Sequence, residues 1–499
     1  MPAPFMKYRS AWARGAAPAD ECQGDIMNKR KYNGDAKSRT SFGLVVVSLL
    51  SLTALAHPAL ADGDCEVTPP GFWERDTALG SFGGARTELC KKGVQLGVTS
   101  VNEMLANPYG GVSHGGKGQG RMQFDLDIDL EKMAELKGTT LHAGAMWIYG
   151  GRISGKNLGN LMPVSNIEAI PSRRLFTLWG QQVLFDDMLS VRLGQLAVDD
   201  EFVVSKLSSV FVNSTFGFPF GISGNLPSGG AAFPMPTPGA RVKLNLTDEV
   251  SWMTAAFAGD PAGKFDVRDP QWRNHDGTTF SFSRGTFYIT EGAYAVNQEK
   301  NSKGLPGTYK LGAWYHSARF NDQHFDNLGQ SLASGNTTGI GNPVRGNGGV
   351  YFVIDQMLIK GQRWSEEGLG VFLRGGVSPS DRNQVPFYLD GGISYKGLFA
   401  GREEDTLALG VGYGQLSGSL QGLDRDTRQI NGQPTRPVRD YETVIEVTYQ
   451  AQITPWWTIQ PDVQYVIHPG GNIPNPGAGS QFTPIGDTFI FGARTAIKF

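Results

Sequence analysis

Residues 488–499 read TFIFGARTAIKF, and this stretch decides the fold because its side chains alternate in character. The largely apolar face consists of Phe489, Phe491, Ala493, Thr495, Ile497 and Phe499. The residues between them include a lysine, an arginine and a glycine. An alternation with a period of two is the pattern of a β-strand whose two faces meet different surroundings. A strand that carries an aromatic residue at the last position suits a membrane β-barrel, in which the closing strand is paired along its length.

The composition of the 499-residue chain is consistent with this interpretation. Only 18% of its residues are charged, 11% are aromatic, and 67 are glycine. Soluble domains carry about 25% charged residues and about 7% glycine. Few charges, many glycines and many aromatic rings fit a large barrel with numerous turns, although they also fit a β-rich secreted protein. The formal net charge of −2 gives no basic surface for nucleic acid, so no nucleic-acid partner is expected.

The first part of the chain has the pattern of a secretory signal peptide. A group of basic residues precedes an apolar stretch at 42–56, and a small-x-small cleavage site ends at Ala61. The apolar stretch is shorter than the ~20 residues that a membrane-spanning helix needs, which argues against a signal anchor. We therefore predict that residues 1–61 are a signal peptide. Met27 is the expected start of translation, and residues 1–26 would then precede the natural protein.

Two cysteines follow the predicted cleavage site, Cys65 and Cys90. An even pair of cysteines in an exported chain predicts a disulfide bond. We expect this bond to tie down a periplasmic N-terminal segment at residues 62–91. Two isolated cysteines do not predict a metal site, and no cofactor is expected.

Residues 92–499 divide into sixteen segments with alternating side chains. In RMQFDLDIDL at 121–130, for example, every second side chain is apolar. The connections between the segments alternate in length: 102–119, 150–172 and 197–239 are long, and the turns that follow them are short. Long extracellular loops and short periplasmic turns are typical of outer-membrane barrels. We predict an all-β fold, a 16-stranded antiparallel transmembrane β-barrel; the alternative is a soluble β-sandwich or lectin array.

The longest connection, the third loop at 197–239, is too apolar for a solvated loop. Its first part, residues 197–220, carries five phenylalanines that would otherwise face water: Phe202, Phe211, Phe216, Phe218 and Phe220. A connection of this length in a compact barrel points to a function. We predict that this loop folds inward and narrows the lumen; the alternative is a lid packed outside on neighbouring loops.

Three blocks of sequence carry a resemblance to a known family. They are GFWERDTALGSFGGARTELCKKGVQLGVTSVNEMLANPYGG at 71–111, NLMPVSNIEAIPSRRLFTLWGQQVLFDDMLSVRLGQLAVDDEFVVSKLSSVFVNSTFGFP at 160–219, and YQAQITPWWTIQPDVQYVIHPGGNIPNP at 449–476 with the terminal GARTAIKF. With them, the chain resembles the carbohydrate-selective porins of the OprB family over about residues 71–499. The resemblance implies a 16-stranded barrel in the outer membrane of a Gram-negative bacterium. It further implies passive, selective diffusion of sugars such as glucose, and a third loop that narrows the channel.

The alternation predicts which charged side chains line such a channel. A sugar needs hydrogen-bond donors and acceptors at the constriction, whereas diffusion needs no nucleophile, so we expect no enzyme activity. The predicted lining residues on strands are Arg121, Asp125, Arg192, Arg241, Lys243 and Arg494. The third loop is expected to add Glu201 and Lys206.

The expected partners are mono- or disaccharides and the outer-membrane lipid, which outward aromatic residues such as Trp457 would contact. A homotrimer is an open possibility, because porins are often trimers. Two other functions stay open at this stage. One is a general porin without sugar selectivity, and the other is a non-transport barrel that serves as an adhesin or enzyme.

Overall fold

The structure is a computed structural model that describes residues 65, 71–264, 267–299, 302–361, 367–478 and 482–499. The predicted signal peptide at residues 1–61, including Met27, lies outside the described residues. Cys65 and Cys90 are joined by a disulfide bond, with their Cα atoms 5.7 Å apart.

Sixteen strands in the described part of the chain close into one antiparallel barrel, in which each strand pairs with its neighbours in sequence and β1 pairs with β16. The prediction of a 16-stranded barrel is confirmed. The strands are β1 (Val94–Gly111), β2 (Gly115–Asp129), β3 (Thr139–Gly150), β4 (Ser172–Leu184), β5 (Leu189–Leu196), β6 (Thr237–Asn245), β7 (Val250–Ala258), β8 (Thr286–Val296), β9 (Gly307–Asp326), β10 (Gly341–Lys360), β11 (Gly368–Val377), β12 (Phe387–Lys396), β13 (Thr406–Gln415), β14 (Tyr441–Thr454), β15 (Trp457–Ile467) and β16 (Gly486–Lys498).

Helices are short and lie between the strands or before them. They are α1 (Ala85–Lys91), α2 (Leu130–Ala134), α3 (Ser214–Gly217), α4 (Phe220–Ser223), α5 (Pro270–Arg273), α6 (Gly418–Ile430) and α7 (Pro469–Asn472). Short 3-10 turns occur at Val198–Asp200, Leu207–Val210 and Pro227–Gly229, and a π turn at Ser154–Leu158. Across the described ranges, no helix combines the length and the apolar character needed to cross a bilayer.

The closing strand behaves as its sequence predicts. In β16 the outward Phe489 and Phe491 are exposed, whereas Ile490 and Arg494 are buried. β16 pairs with β1 on one side and β15 on the other, so its backbone hydrogen-bonding groups are used along both edges. An outward face that is apolar along a fully paired strand is what a lipid environment requires.

The predicted long connection at 102–119 is wrong, because β1 continues to Gly111 and β2 begins at Gly115. The glycine-rich sequence suggested a loop, but its residues continue the ladder, with Asn107 opposite Gly115. Gly110 shows why glycine is used there. Its φ is +74°, and a Cβ atom would lie 1.8 Å from the carbonyl oxygen of Asp487. β9 and β10 are also longer than predicted, which shortens the connection predicted at 319–348 to residues 327–340.

Two loops fold into the barrel. The third loop, residues 197–236 in the structure, packs inside as predicted: Phe211 and Phe216 lie against Phe372 of β11, with ring centroids 5.6 and 6.1 Å apart. The second loop, residues 151–171, also packs inside, which the sequence did not predict. Its Leu158, Met162 and Val164 join the same hydrophobic cluster as the two phenylalanines. The interior is therefore a packed core over part of its cross-section.

Candidate constriction site

The third loop is held against the barrel wall by inward carboxylates that accept hydrogen bonds from its backbone. Glu446 of β14 accepts from Val212 N (2.6 Å) and Asn213 N (2.9 Å). Asp355 of β10 accepts from Lys206 N (2.9 Å). Irregular backbone inside a barrel has no strand partner for its N–H groups, and a buried unsatisfied group is costly. These carboxylates therefore replace water as partners of the loop.

Arg374 of β11 binds carbonyl groups of the third loop. Its guanidinium donates to four backbone oxygens, those of Val203 (3.2 Å), Thr215 (3.0 Å), Phe216 (2.8 Å) and Gly217 (2.9 Å). The same guanidinium forms a two-pronged ion pair with Asp390 of β12, at 3.0 and 2.6 Å. Because Arg374 is only 1% exposed, the whole arrangement is sheltered from water.

Glu442 of β14 fixes the second loop in the same way. Its carboxylate accepts from the backbone N–H groups of Leu161, Met162 and Gly470, each at 2.7 Å. Both loops are thus fastened to the β10–β15 part of the wall. On the opposite part of the wall, β2–β6, several charged side chains stay partly exposed inside the barrel. These side chains and the facing edge of the third loop form the candidate site.

Three of the predicted residues meet at this site. Arg192 of β5 and Arg241 of β6 are directly opposite each other in the sheet. Glu201 of the third loop bridges them, with its carboxylate oxygens 3.3 Å from Arg192 Nη1 and 2.7 Å from Arg241 Nη2. Two like charges in register repel each other, so the loop glutamate stabilises the pair. The side chains of Glu201 and Arg192 are 21% and 11% exposed, whereas that of Arg241 is 3% exposed.

Gln181 of β4 completes this group. Its side-chain oxygen accepts from Arg192 Nε (3.1 Å) and Nη2 (2.9 Å) and from Arg241 Nη2 (2.9 Å). We call Gln181, Arg192, Glu201 and Arg241 the arginine bridge. The arginine bridge joins three wall strands to the loop and fixes the position of each charge.

Trp179 lies beside the arginine bridge, and both of its ring faces are covered. The Arg192 guanidinium lies 3.9 Å from the ring centroid, which is cation–π distance. The His142 ring stacks on Trp179 with centroids 4.7 Å apart and an interplanar angle of 18°. His142 in turn contacts Asp127 (2.7 Å) and Thr177 (3.0 Å) through its two ring nitrogens. Trp179 therefore orients its neighbours and does not offer a free ring face.

The other predicted residues lie at different places on the inner wall. Arg121 of β2 packs over the ring of Phe233 in the third loop, 5.6 Å from its centroid, and its Nε has no hydrogen-bond partner among the described residues. Asp125, four residues further along β2, accepts from Gln123 Nε2 (3.0 Å). Lys243 of β6 is half-buried beside the arginine bridge and interacts electrostatically with Glu201.

Lys206 and Arg494 do not join the arginine bridge. Lys206 is exposed on the third loop, and its backbone N–H is the group that binds Asp355. Arg494 faces inward as predicted, but it is buried in an ion pair with Glu103 and donates to the Asn166 side chain of the second loop. The inward folding of the second loop explains why this arginine is covered.

The sequence analysis missed His142, Trp179 and Gln181. A register shift between β3 and β4 causes the error for β4: Ala143 is opposite Leu178, whereas Ala145 is opposite Leu175. A bulge moves every later side chain to the other face of its strand. Simple alternation from Arg174 places Trp179 on the outside, but the bulge turns it inward. His142 alternates with exposed neighbours in β3, so this residue was detectable from the pattern.

Comparisons with known proteins agree with the barrel fold. The family model described as carbohydrate-selective porin, OprB family, matches residues 113–499. Porin B of Pseudomonas aeruginosa is 28% identical over 463 residues, which cover 89% of this chain and 96% of that protein.

Two solved structures of Pseudomonas putida OprB share the fold. The high-pH structure has a TM-score of 0.75 at 22% identity, and the aligned part covers 86% of this chain and 100% of that structure's chain. The low-pH structure has a TM-score of 0.51 at 17% identity, and the aligned part covers 85% of this chain and 99% of that structure's chain.

Proposed function

Because the chain belongs to the OprB family of carbohydrate-selective porins in the outer membrane, we propose that neutral mono- and disaccharides diffuse through it past the arginine bridge. The third loop narrows the lumen on one side, and β2–β6 form the other. The observation that carries the proposal is the loop glutamate, Glu201, held between two wall arginines with part of its surface open to the lumen.

The arginine bridge presents both signs of charge, which favours neutral polar solutes over ions. An anion that approaches Arg192 also meets Glu201, and a cation that approaches Glu201 also meets the arginines. A sugar carries no net charge, and its hydroxyl groups can donate to the carboxylate and accept from the guanidinium groups. Pore selectivity follows from such lining groups together with the width of the opening.

Sugar contact at this site is expected to be weak, which diffusion requires. Trp179 contacts Arg192 and His142 and is only 7% exposed, so it cannot stack on the apolar face of a sugar ring. The sugar is then held by hydrogen bonds that replace equivalent bonds to water. The net free energy of such an exchange is small, about 1 kcal/mol per bond.

Liposome swelling tests this function. Purified protein is reconstituted, and the rates for glucose, gluconate and glucosamine are compared, because these solutes have similar size and different charge. We expect the neutral sugar to enter fastest, and a disaccharide to enter more slowly than glucose. Equal rates for the three matched solutes would support the alternative of a general porin. Absence of swelling with any solute would support a non-transport barrel.

A charge-neutralising variant ties the selectivity to the arginine bridge. Glu201→Gln leaves Arg192 and Arg241 without their shared counter-charge, so entry of gluconate should rise relative to glucose. Glu249→Gln is the matched control, because Glu249 is exposed in the short turn between β6 and β7. If both variants gave the same gluconate-to-glucose ratio as the unmodified protein, Glu201 would have no role in selectivity.

A further inference from the structure

The segment before β1 is fixed to the strand that closes the barrel, β16. Ala78 N donates to the carbonyl oxygen of Lys498 (2.7 Å), and Arg86 Nη2 donates to the backbone oxygen of Phe499 (2.7 Å). Arg86 Nη1 also donates to Thr77 Oγ1 (2.6 Å), which ties the segment to itself. The segment is therefore held in a defined position at the short-turn end of β16.

Four aromatic rings form a continuous row from the barrel to this segment. Trp457 stacks on Trp456 with centroids 6.1 Å apart, and Trp456 meets Phe72 edge-to-face at 5.0 Å. Phe72 then meets Trp73 edge-to-face at 5.1 Å. The Trp456 indole N–H donates to the Phe72 carbonyl oxygen (3.0 Å), so the middle contact is also fixed by a hydrogen bond. We call these residues the aromatic row.

The aromatic row begins on the outward surface of the barrel. Trp457 lies on the same face of β15 as the exposed Val463 and Tyr465, because all three occupy odd-numbered positions. Its indole N–H donates to Thr495 Oγ1 of β16 (2.9 Å), which belongs to the outward face of the closing strand. Trp and Tyr are enriched where a membrane protein meets the membrane–water interface. The first ring of the row thus lies on the surface that contacts lipid.

The segment exposes large apolar side chains at the other end of the row. Trp73 is 64% exposed and Phe82 is 68% exposed, and Leu79 and Phe72 are also exposed. The Arg75 guanidinium lies over the Phe72 ring at 4.5 Å. Clustered exposed apolar residues mark an interaction surface. Exposed aromatic rings are typical of elements that lie at a membrane–water interface.

We propose that residues 71–82 lie in the periplasmic leaflet of the outer membrane, with Trp73 and Phe82 among the phospholipid headgroups. The short-turn end of an outer-membrane barrel faces the periplasm, so the adjacent lipid is the inner leaflet. The aromatic row connects the lipid-contacting surface of β15 to this segment through Trp456, which is 7% exposed. Because the same segment binds the backbone of β16, lipid contact at Trp73 also braces the junction of the first and last strands.

Depth-dependent fluorescence quenching tests this placement. The protein and its Trp73→Phe variant are reconstituted into vesicles of phosphatidylcholine brominated near the headgroup or deep in the acyl chain. The difference between the two spectra isolates Trp73. We expect that difference signal to lose at least half of its intensity with shallow bromine, and less with deep bromine or aqueous acrylamide.

Trp272→Phe is the matched control, because Trp272 is 51% exposed in α5, on the long-loop side of the barrel. Its difference signal should be quenched by acrylamide and insensitive to bromine. The same pattern for Trp73 would overturn the proposal and would assign the segment to the aqueous periplasm. Heat-modifiable electrophoretic mobility checks that each variant forms the barrel. The test is independent of transport, so its outcome does not depend on the proposed sugar selectivity.

Discussion

Arg374→Ala is expected to release part of the third loop from the barrel wall. The change removes four hydrogen bonds to loop carbonyl groups, at residues 203–217, and the ion pair with Asp390. Asp390 then stays buried with the Tyr388 hydroxyl still donating to it at 2.8 Å. The strand ladders on both sides of β11 use backbone groups, so the barrel itself stays closed.

The size of the effect follows from the buried ion pair. Removing one partner of such a pair costs about 3–5 kcal/mol, because the other charge remains in a poorly hydrated site. That free energy corresponds to a factor of roughly 10² to 10⁴ in the equilibrium between docked and released loop. Release on this scale is local and does not require global unfolding.

Planar-bilayer recordings and limited proteolysis measure the release. We expect larger and noisier single-channel conductance from Arg374→Ala, and new cleavage within residues 197–236. Arg173→Ala is the matched control, because Arg173 is an exposed arginine that packs over Trp147 on the outer face of β4. Unchanged conductance together with a protease-resistant loop would refute the reasoning that Arg374 holds the loop in place.

A double variant separates loss of the hydrogen bonds from the cost of an unpaired charge. Arg374→Met combined with Asp390→Asn removes both charges and keeps most of the buried volume. Since no uncompensated carboxylate remains, part of the docked population should return. Conductance of the double variant is therefore expected between that of the unmodified protein and that of Arg374→Ala. A double variant as leaky as the single one would mean that the carbonyl bonds alone carry the effect.

Three other predictions concern selectivity, packing and pH. Arg192→Gln removes one positive charge, which changes the free energy of a monovalent ion at ~6 Å in water by about 0.7 kcal/mol, with opposite sign for a cation and an anion. The cation-to-anion permeability ratio, measured from reversal potentials, should therefore rise roughly tenfold, and by less at high salt. The rate of glucose entry should change by less than about twofold. Gly410→Val should displace the third loop and widen the channel, because a Cβ atom at Gly410 would lie 2.8 Å from the Phe211 ring of that loop and overpacking costs about 1–3 kcal/mol. An unchanged single-channel conductance would contradict this. Burial raises the pKa of Glu168 to about 7, even though Ser154 donates to its carboxylate, so the second loop should dock most firmly below about pH 4.5 and loosen as the pH rises through 7. Hydrogen exchange of residues 151–171, corrected for intrinsic rates, measures this loosening, and Glu168→Gln should weaken the pH dependence.

The barrel could be predicted from the sequence because each strand separates lipid from lumen and alternates accordingly. The predicted strand boundaries are wrong where glycine is a strand residue. Gly110 and Gly111 have positive φ and allow close contacts with Asp487 and Asn157, so they end a long β1 and do not begin a loop. A glycine-rich stretch has no side-chain alternation, and its pairing depends on neighbouring strands that the local pattern does not contain.

The site was only partly predictable, because alternation gives the face of a side chain and not what covers it. Arg192 and Arg494 have the same pattern in sequence and both point inward. The structure leaves Arg192 at the lumen beside Glu201 and covers Arg494 with Asn166 of the second loop. That difference depends on where a distant loop packs. Trp179 was missed for a different reason: the bulge in β4 puts it on the face opposite to the one that simple alternation from Arg174 gives.

The inward charges of this barrel therefore divide into two groups with different roles. Arg374, Glu442 and Glu446 bind loop backbone and are buried, so changes there alter the width of the lumen. Arg192 and Glu201 keep exposed surface and form an ion pair, so we expect changes there to alter the charge preference at nearly constant width. We propose that size selection and charge selection depend on different side chains. Variants of Glu442, which holds the second loop, and of Arg192 should combine additively, because these two side chains share no partner among the described residues. Arg374→Ala should not combine additively with a Glu201 variant, because Glu201 lies in the loop that Arg374 holds.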